Sequence, residues 1–212
     1  MIGRPRLAAW MAGALAIAAL LTVAVLLEFG TGEEGTRIAL RVTARWSYLL
    51  FWPAYAGAAL ATLIGPALQP LARRARELGL AFAAAHLPHL GLVIWLYSIS
   101  EQPPVSTFQL VFFGVAAFFT YLLAVLSLGS LTASLKPDAW RVLRTVGVEY
   151  IALVFLVDFL RNPVSGGRLH VLAYAPFVAL GILGIVLRVT ALVRRARRYG
   201  RAPISPAAPP AN

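Results

Sequence analysis

Six long apolar runs, each separated from the next by charge, glycine or proline, limit what this chain can become. A bilayer core of about 30 Å is crossed by about 20 consecutive apolar residues in a helix. The runs cover Leu7 to Glu28, Trp46 to Leu68, Leu78 to Ser100, Phe108 to Leu131, Val142 to Leu160 and His170 to Val193. Only 13% of the residues are charged, against about 25% in ordinary soluble domains. That is too little to cover the surface of a soluble chain of this size. The expected fold is therefore all-α, an integral membrane bundle of about six transmembrane helices. Residues 1–193 are expected to form a single transmembrane domain, and 194–212, basic and then rich in proline and alanine, a disordered cytoplasmic tail.

The first run follows Arg4 and Arg6 in the manner of a signal peptide. It exceeds the usual apolar core of about 7–15 residues, and Phe29-Gly30-Thr31-Gly32 after it is no cleavage pattern, so a retained anchor is expected. The polar stretch from Phe29 to Arg45 reads as the longest non-helical link. With the N-terminus in the cytoplasm, 14 of the 19 Lys and Arg fall on the inner side and 5 on the outer: Arg37, Arg41, Arg45, Arg161 and Arg168. This positive-inside bias places both ends in the cytoplasm, in a bacterial-type inner membrane. The same asymmetry accounts for the net charge of +11 through topology and anionic headgroups, so the bilayer rather than nucleic acid is the expected partner. The absence of cysteine excludes disulfides, iron–sulfur clusters and thiolate chemistry. No phosphate loop, dinucleotide fingerprint, nucleophile elbow or metalloprotease helix is present.

Ionisable groups inside a membrane are costly and usually functional. His86 and His89 lie three residues apart in the third run, on one helix face, with Pro88 between them. Neutral imidazole is a common ligand for haem and redox metals, and a buried histidine bonded to a neighbouring carbonyl is the competing reading. Glu149 and Asp158 lie in the fifth run. Glu149 has Arg144 and Arg188 as candidate partners and Asp158 has Arg161, while a proton path between them would have to pass the apolar stretch Ile151 to Val157. His170 starts the sixth run, too far from His89 in depth to share an iron. The tryptophans mostly stand near helix ends, as interfacial belts do. Gly57, Ala58, Ala59 and Ala61 in the second run, and Ala81, Ala83, Ala84 and Ala85 in the third, are expected to let two helices approach closely.

The stretch from Tyr55 to Tyr97 carries a proline at the end of one helix, the pair Arg73-Arg74, the start Leu78-Gly79-Leu80, then Phe82, and His89 ten residues past Gly79. In this it resembles the ferric-reductase-like transmembrane family, to which the haem-binding membrane subunit of the periplasmic methionine sulfoxide reductase system belongs. Phe113-Gly114, Leu126-Ser127 and Trp140 extend the likeness to about Phe159, roughly half of the chain. The resemblance implies a haem b with its iron on His89 and with His86 beside it, and electrons passed to or from a partner protein. It implies a porphyrin between the third and fifth runs, against Leu153 and Val154, with propionates near outer or inner arginines. The family's second ligand helix has histidines where this chain has Arg144 and, about 13 residues on, Val157 or Asp158. The usual two-haem stack is thus not expected. A haem-free structural or assembly subunit of a larger complex and a small transporter using Glu149 and Asp158 stand as alternatives.

Overall fold

The computed structural model describes residues 4–128, 136–165 and 167–199, the side chains of 4, 162–170 and 198–199 excepted. The described residues form α1 (Arg4–Phe29), α2 (Glu33–Ile64), a 3-10 turn (Pro66–Leu68), the short α3 (Gln69–Arg73), α4 (Ala75–Ile99), α5 (Thr107–Leu128), α6 (Pro137–Ser165) and α7 (Gly167–Tyr199). The chain is a multi-pass helical membrane protein. Within α1, α2, α4, α5 and α7, 5 stretches are long and apolar enough to cross a bilayer.

The sixth long helix, α6, holds the apolar run Val142 to Leu160 but also carries Asp138, Arg141, Arg144, Glu149, Asp158 and Arg161, and it is not among those 5 stretches. Its contacts place it within the bundle all the same. Glu149 meets Arg188 and Leu156 lies against Gly181, the register of two antiparallel helices, α6 and α7. Tyr150 reaches Phe112 and Phe119 while Gly147 lies against Phe119 and Leu123, so α5 and α6 are also antiparallel. Thr43 with His89 and Phe51 with Phe82 give the same relation for α2 and α4. The long helices therefore alternate up and down, and α6 runs the same depth as its neighbours. The turn after α1, the loop after α4 and the end of α6 share one end of the bundle, here called outer. The start of α1 and the end of α7 lie towards the inner end.

Several boundaries differ from those expected. The stretch from Phe29 to Arg45 is not a long link, because α2 begins at Glu33. Gly30 (φ 82°) makes the turn, and Glu33 and Glu34 suit the positive end of a helix. The polarity of this segment is one-sided: Thr36, Ala39 and Thr43 are buried, while Arg37 and Arg41 are not. Helical periodicity was hidden there by low hydrophobicity. At the other end of the chain α7 continues through the basic residues to Tyr199, beyond the expected boundary at residue 193. Residues 200–212 of the expected tail, the glycine at 166, and 129–135 after α5 lie outside the described residues. α6 passes through Pro163 instead of stopping before it.

The small residues of the second run do not meet those of the third: Gly57 lies against Leu71 of α3, and the register that sets Phe51 beside Phe82 puts residues 57–61 opposite α3 and the start of α4. α4 packs most extensively on α2 and then on α1. Ala81 and Ala85, both 0% exposed, also face Ala14 and Ala18 of α1, so one alanine face of α4 serves two neighbours. The tryptophans act as more than an interfacial belt. Indole N–H groups of Trp46, Trp52 and Trp95 donate to the carbonyls of Ala14 (3.1 Å), Leu180 (2.6 Å) and Thr31 (3.1 Å). Each pins one helix to another chain segment. An aromatic core of Tyr48, Phe51, Tyr55, Phe82 and Phe159 fills the centre.

Candidate functional site

A cavity of about 600 Å3 opens between α2, α4, α5 and α6 towards the outer end. Its volume lies in the range of about 300–1,000 Å3 that small-molecule and cofactor sites occupy. Arg37, Arg41, Gln109 and Arg161 line it near the outer ends of their helices, and Pro104 and Val105 come from the loop after α4. Deeper walls are apolar and aromatic: Phe82, Phe113, Ala117, Ile151, Val154 and Phe155. His86 and His89 both line it. His89 lies 10 residues from the outer end of α4, roughly 15 Å along the helix at 1.5 Å per residue.

Helix geometry explains the pairing of the two imidazoles. Residues three apart share a face, and the two rings stack with centroids 4.8 Å apart and planes 21° from parallel. Pro88 is accommodated within the helix between them. His89 Nδ1 lies 3.0 Å from Thr43 Oγ1. His86 Nδ1 is buried and has no hydrogen-bond partner among the described residues, while the ring packs on Phe82 and towards Tyr121. Stacked rings on one helix offer their nitrogens from the same side. They cannot stand on opposite faces of one iron, which would require imidazoles about 4 Å apart across it, twice a metal–nitrogen bond of about 2 Å.

The remaining expected groups separate into two places. Asp158 and Arg161 line the same cavity as the histidines, and the positive charge of Arg161 acts on Asp158. Val154 lines the cavity as expected, but Leu153 is 47% exposed on the outer face of α6 and takes no part. Arg144 is exposed at the inner end of α6, far from the cavity lining. His170 stands in the first turn of α7. Its side chain lies outside the described residues. No group of three or more His, Cys, Asp or Glu gathers as a metal cluster among the described residues.

The second place is towards the inner end. Arg188 of α7 donates to Glu149 of α6 at 2.7 and 2.6 Å. The Tyr55 hydroxyl of α2 donates to the other carboxylate oxygen at 2.8 Å. Arg188 also donates to the Tyr55 carbonyl at 3.1 Å and sits 4.6 Å above its ring. Glu149 thus pairs with Arg188, not with Arg144. The pair was one of two open options in the sequence, whereas Tyr55 carried no mark of its role. Of the sequence candidates, the fold brings together His86, His89, Asp158 and Arg161, and keeps Glu149 apart from them.

The donor set fits a single porphyrin better than a metal ion bound only by side chains. One imidazole edge, cationic groups at the mouth and apolar walls match iron, propionates and macrocycle in turn. It does not fit the two-haem stack, because the positions of the missing histidines hold Arg144, outside the cavity, and Val157 or Asp158. Compared with protein-family models, with curated proteins and with solved structures, the chain has no significant match.

Proposed function

We propose that this protein is a haem-binding membrane subunit of ferric-reductase-like character that passes electrons to or from a partner protein. The observation that carries the reading is the cavity itself, with the His89 imidazole on its wall and Arg37, Arg41 and Arg161 at its outer mouth. His89 would hold the iron, the three arginines would meet the propionates, and Phe82, Val154 and Phe155 would enclose the ring. A bound haem supplies one-electron chemistry, and the apolar walls and helix packing keep water from it. A flavin or nicotinamide site has no counterpart in the sequence motifs, so the electrons are exchanged with another protein. The arginine asymmetry supports an inner membrane with both termini cytoplasmic and the cavity mouth on the far side.

With one imidazole ligand the iron would keep a position open to small molecules, unlike a closed two-histidine carrier. The absorption spectrum of protein produced with excess haem tests the reading. A Soret band that shifts on adding carbon monoxide to the reduced form is the expected result. No band would overturn it. A second reading has its own observation. Asp158 lines the cavity about where the resemblance expects a histidine, and a chain that has lost that ligand is suited to a haem-free subunit of a larger complex. Absence of the band, with the helical bundle intact, would favour that role.

A further inference from the structure

We propose that Thr43 is a positioning residue for the cavity. It holds His89 as the tautomer with its proton on Nδ1 and turns a bare Nε2 towards the cavity. What the bare nitrogen is for rests on the haem reading; the tautomer itself does not.

A threonine hydroxyl has one proton to give and two lone pairs to receive with. Thr43 Oγ1 is 2.8 Å from the Ala39 carbonyl and 3.2 Å from that of Leu40. Carbonyls only accept, so the hydroxyl proton is committed to the backbone of its own helix. In the 3.0 Å contact with His89 the oxygen is then left as acceptor, and Nδ1 must donate. The opposite arrangement, with the hydroxyl turned to Nδ1, would abandon the shorter bond to Ala39. A neutral imidazole carries one proton, so Nε2 is bare. Thr43 is 0% exposed, and no water competes. The bond to Ala39 holds the hydroxyl in place, and a partner so held orients the ring as well as its proton.

His86 supplies the contrast. It lies one turn further in, and its Nδ1 has no partner among the described residues. Ser47, one turn further in than Thr43 on α2, is fully buried with its hydroxyl oxygen likewise unpartnered. Among the described residues, then, no partner holds a proton on His86 Nδ1. The difference between two stacked imidazoles selects His89 as the nitrogen donor.

The test combines nitrogen-15 imidazole NMR on the haem-free chain with haem retention on the loaded one. The native chain should show His89 protonated on Nδ1. Thr43→Val keeps the shape and removes the acceptor; it should lose that tautomer preference and weaken haem binding about 10- to 100-fold, as loss of an orienting partner does at other metal sites. Thr43→Ser should restore both. Native His89 found protonated on Nε2 would overturn the proposal, whether or not haem binds and whether or not Thr43→Val folds. So would a folded Thr43→Val with unchanged tautomer and affinity, or a Thr43→Ser as impaired as the valine, which would assign the threonine to packing. If the native tautomer is as stated and no haem is taken up, the haem reading fails and the positioning role stands.

Discussion

At the scale of the residue, polar side chains inside this bundle are set by partners on other helices. His89 meets Thr43 across the α2–α4 contact, and Glu149 meets both Tyr55 and Arg188. His89→Ala should abolish the Soret band, because it removes the nitrogen that faces the cavity in a fixed state. His86→Ala should retain the band, and His170→Ala should leave both band and intensity unchanged. Spectra of the three variants, loaded in parallel, separate a ligand from a bystander: a band that survives His89→Ala and disappears in His86→Ala would reverse the assignment. His89 could be picked out in the sequence, since a histidine within an apolar run is rare and costly. Thr43 could not. A threonine in a membrane helix satisfies its own hydroxyl on the preceding turn, and nothing local tells such a residue from one that also receives a bond from another helix.

At the scale of the element, α6 is the instructive helix. Its charges keep it from reading as a simple span, and the arrangement around Glu149 shows how it enters the bundle. A charge left alone at the centre of a membrane helix costs about 2.5–3.5 kcal/mol. Side chains of Glu149 and Arg188 are 44% and 29% exposed, so some of that cost is relieved by reaching towards the inner headgroups. Glu149→Gln should lower stability by about 2 kcal/mol, because it leaves Arg188 without its counter-charge. Adding Arg188→Gln should recover part of the loss. A double-mutant cycle in detergent checks this: strictly additive effects would show that the two charges are not coupled. The alanine face of α4 gives a second expectation. Ala85 has no free volume, lying where α1 and α2 both approach. Ala85→Leu should cost about 1–3 kcal/mol through overpacking, visible as a lower melting temperature; an unchanged value would mean that α1 can move aside. That α4 would pack closely was legible from its own alanines, but the small residues of α2 were a poor guide to where: Gly57 faces Leu71, and Trp46 and Leu50 pack against the face of Ala81 and Ala85. That α1 shares the face was not legible, because the composition of α1 is apolar all round and names no preferred side.

At the scale of the whole molecule, the sequence made the membrane class and the number of long helices plain, because chain length per crossing is fixed by bilayer thickness. It missed where α2 begins and α7 ends. Both helices extend into polar segments at the membrane surface, where helix formation no longer depends on apolar residues. The proposed six-crossing arrangement joins two kinds of information: the helix contacts make neighbours alternate, and the arginine count is the proposed guide to which end faces in. On the orientation proposed from that count, the cavity mouth and the loop after α4 are expected to share the outer side, and the link between α2 and α4 to lie inside. The chain has no cysteine, so single cysteines can report each side without background. Gln102→Cys, in the loop after α4, should react with a membrane-impermeant maleimide added to intact spheroplasts. Arg74→Cys, beside the start of α4, should react only after the membrane is opened. Replacement of this arginine also removes one inside charge, and with 13 others still on that side the orientation should hold. Labelling of residue 74 from outside, with residue 102 protected, would turn the molecule over and put the cavity mouth, with its arginines and the His89 site below them, on the cytoplasmic side. The electron partner would then have to be sought there.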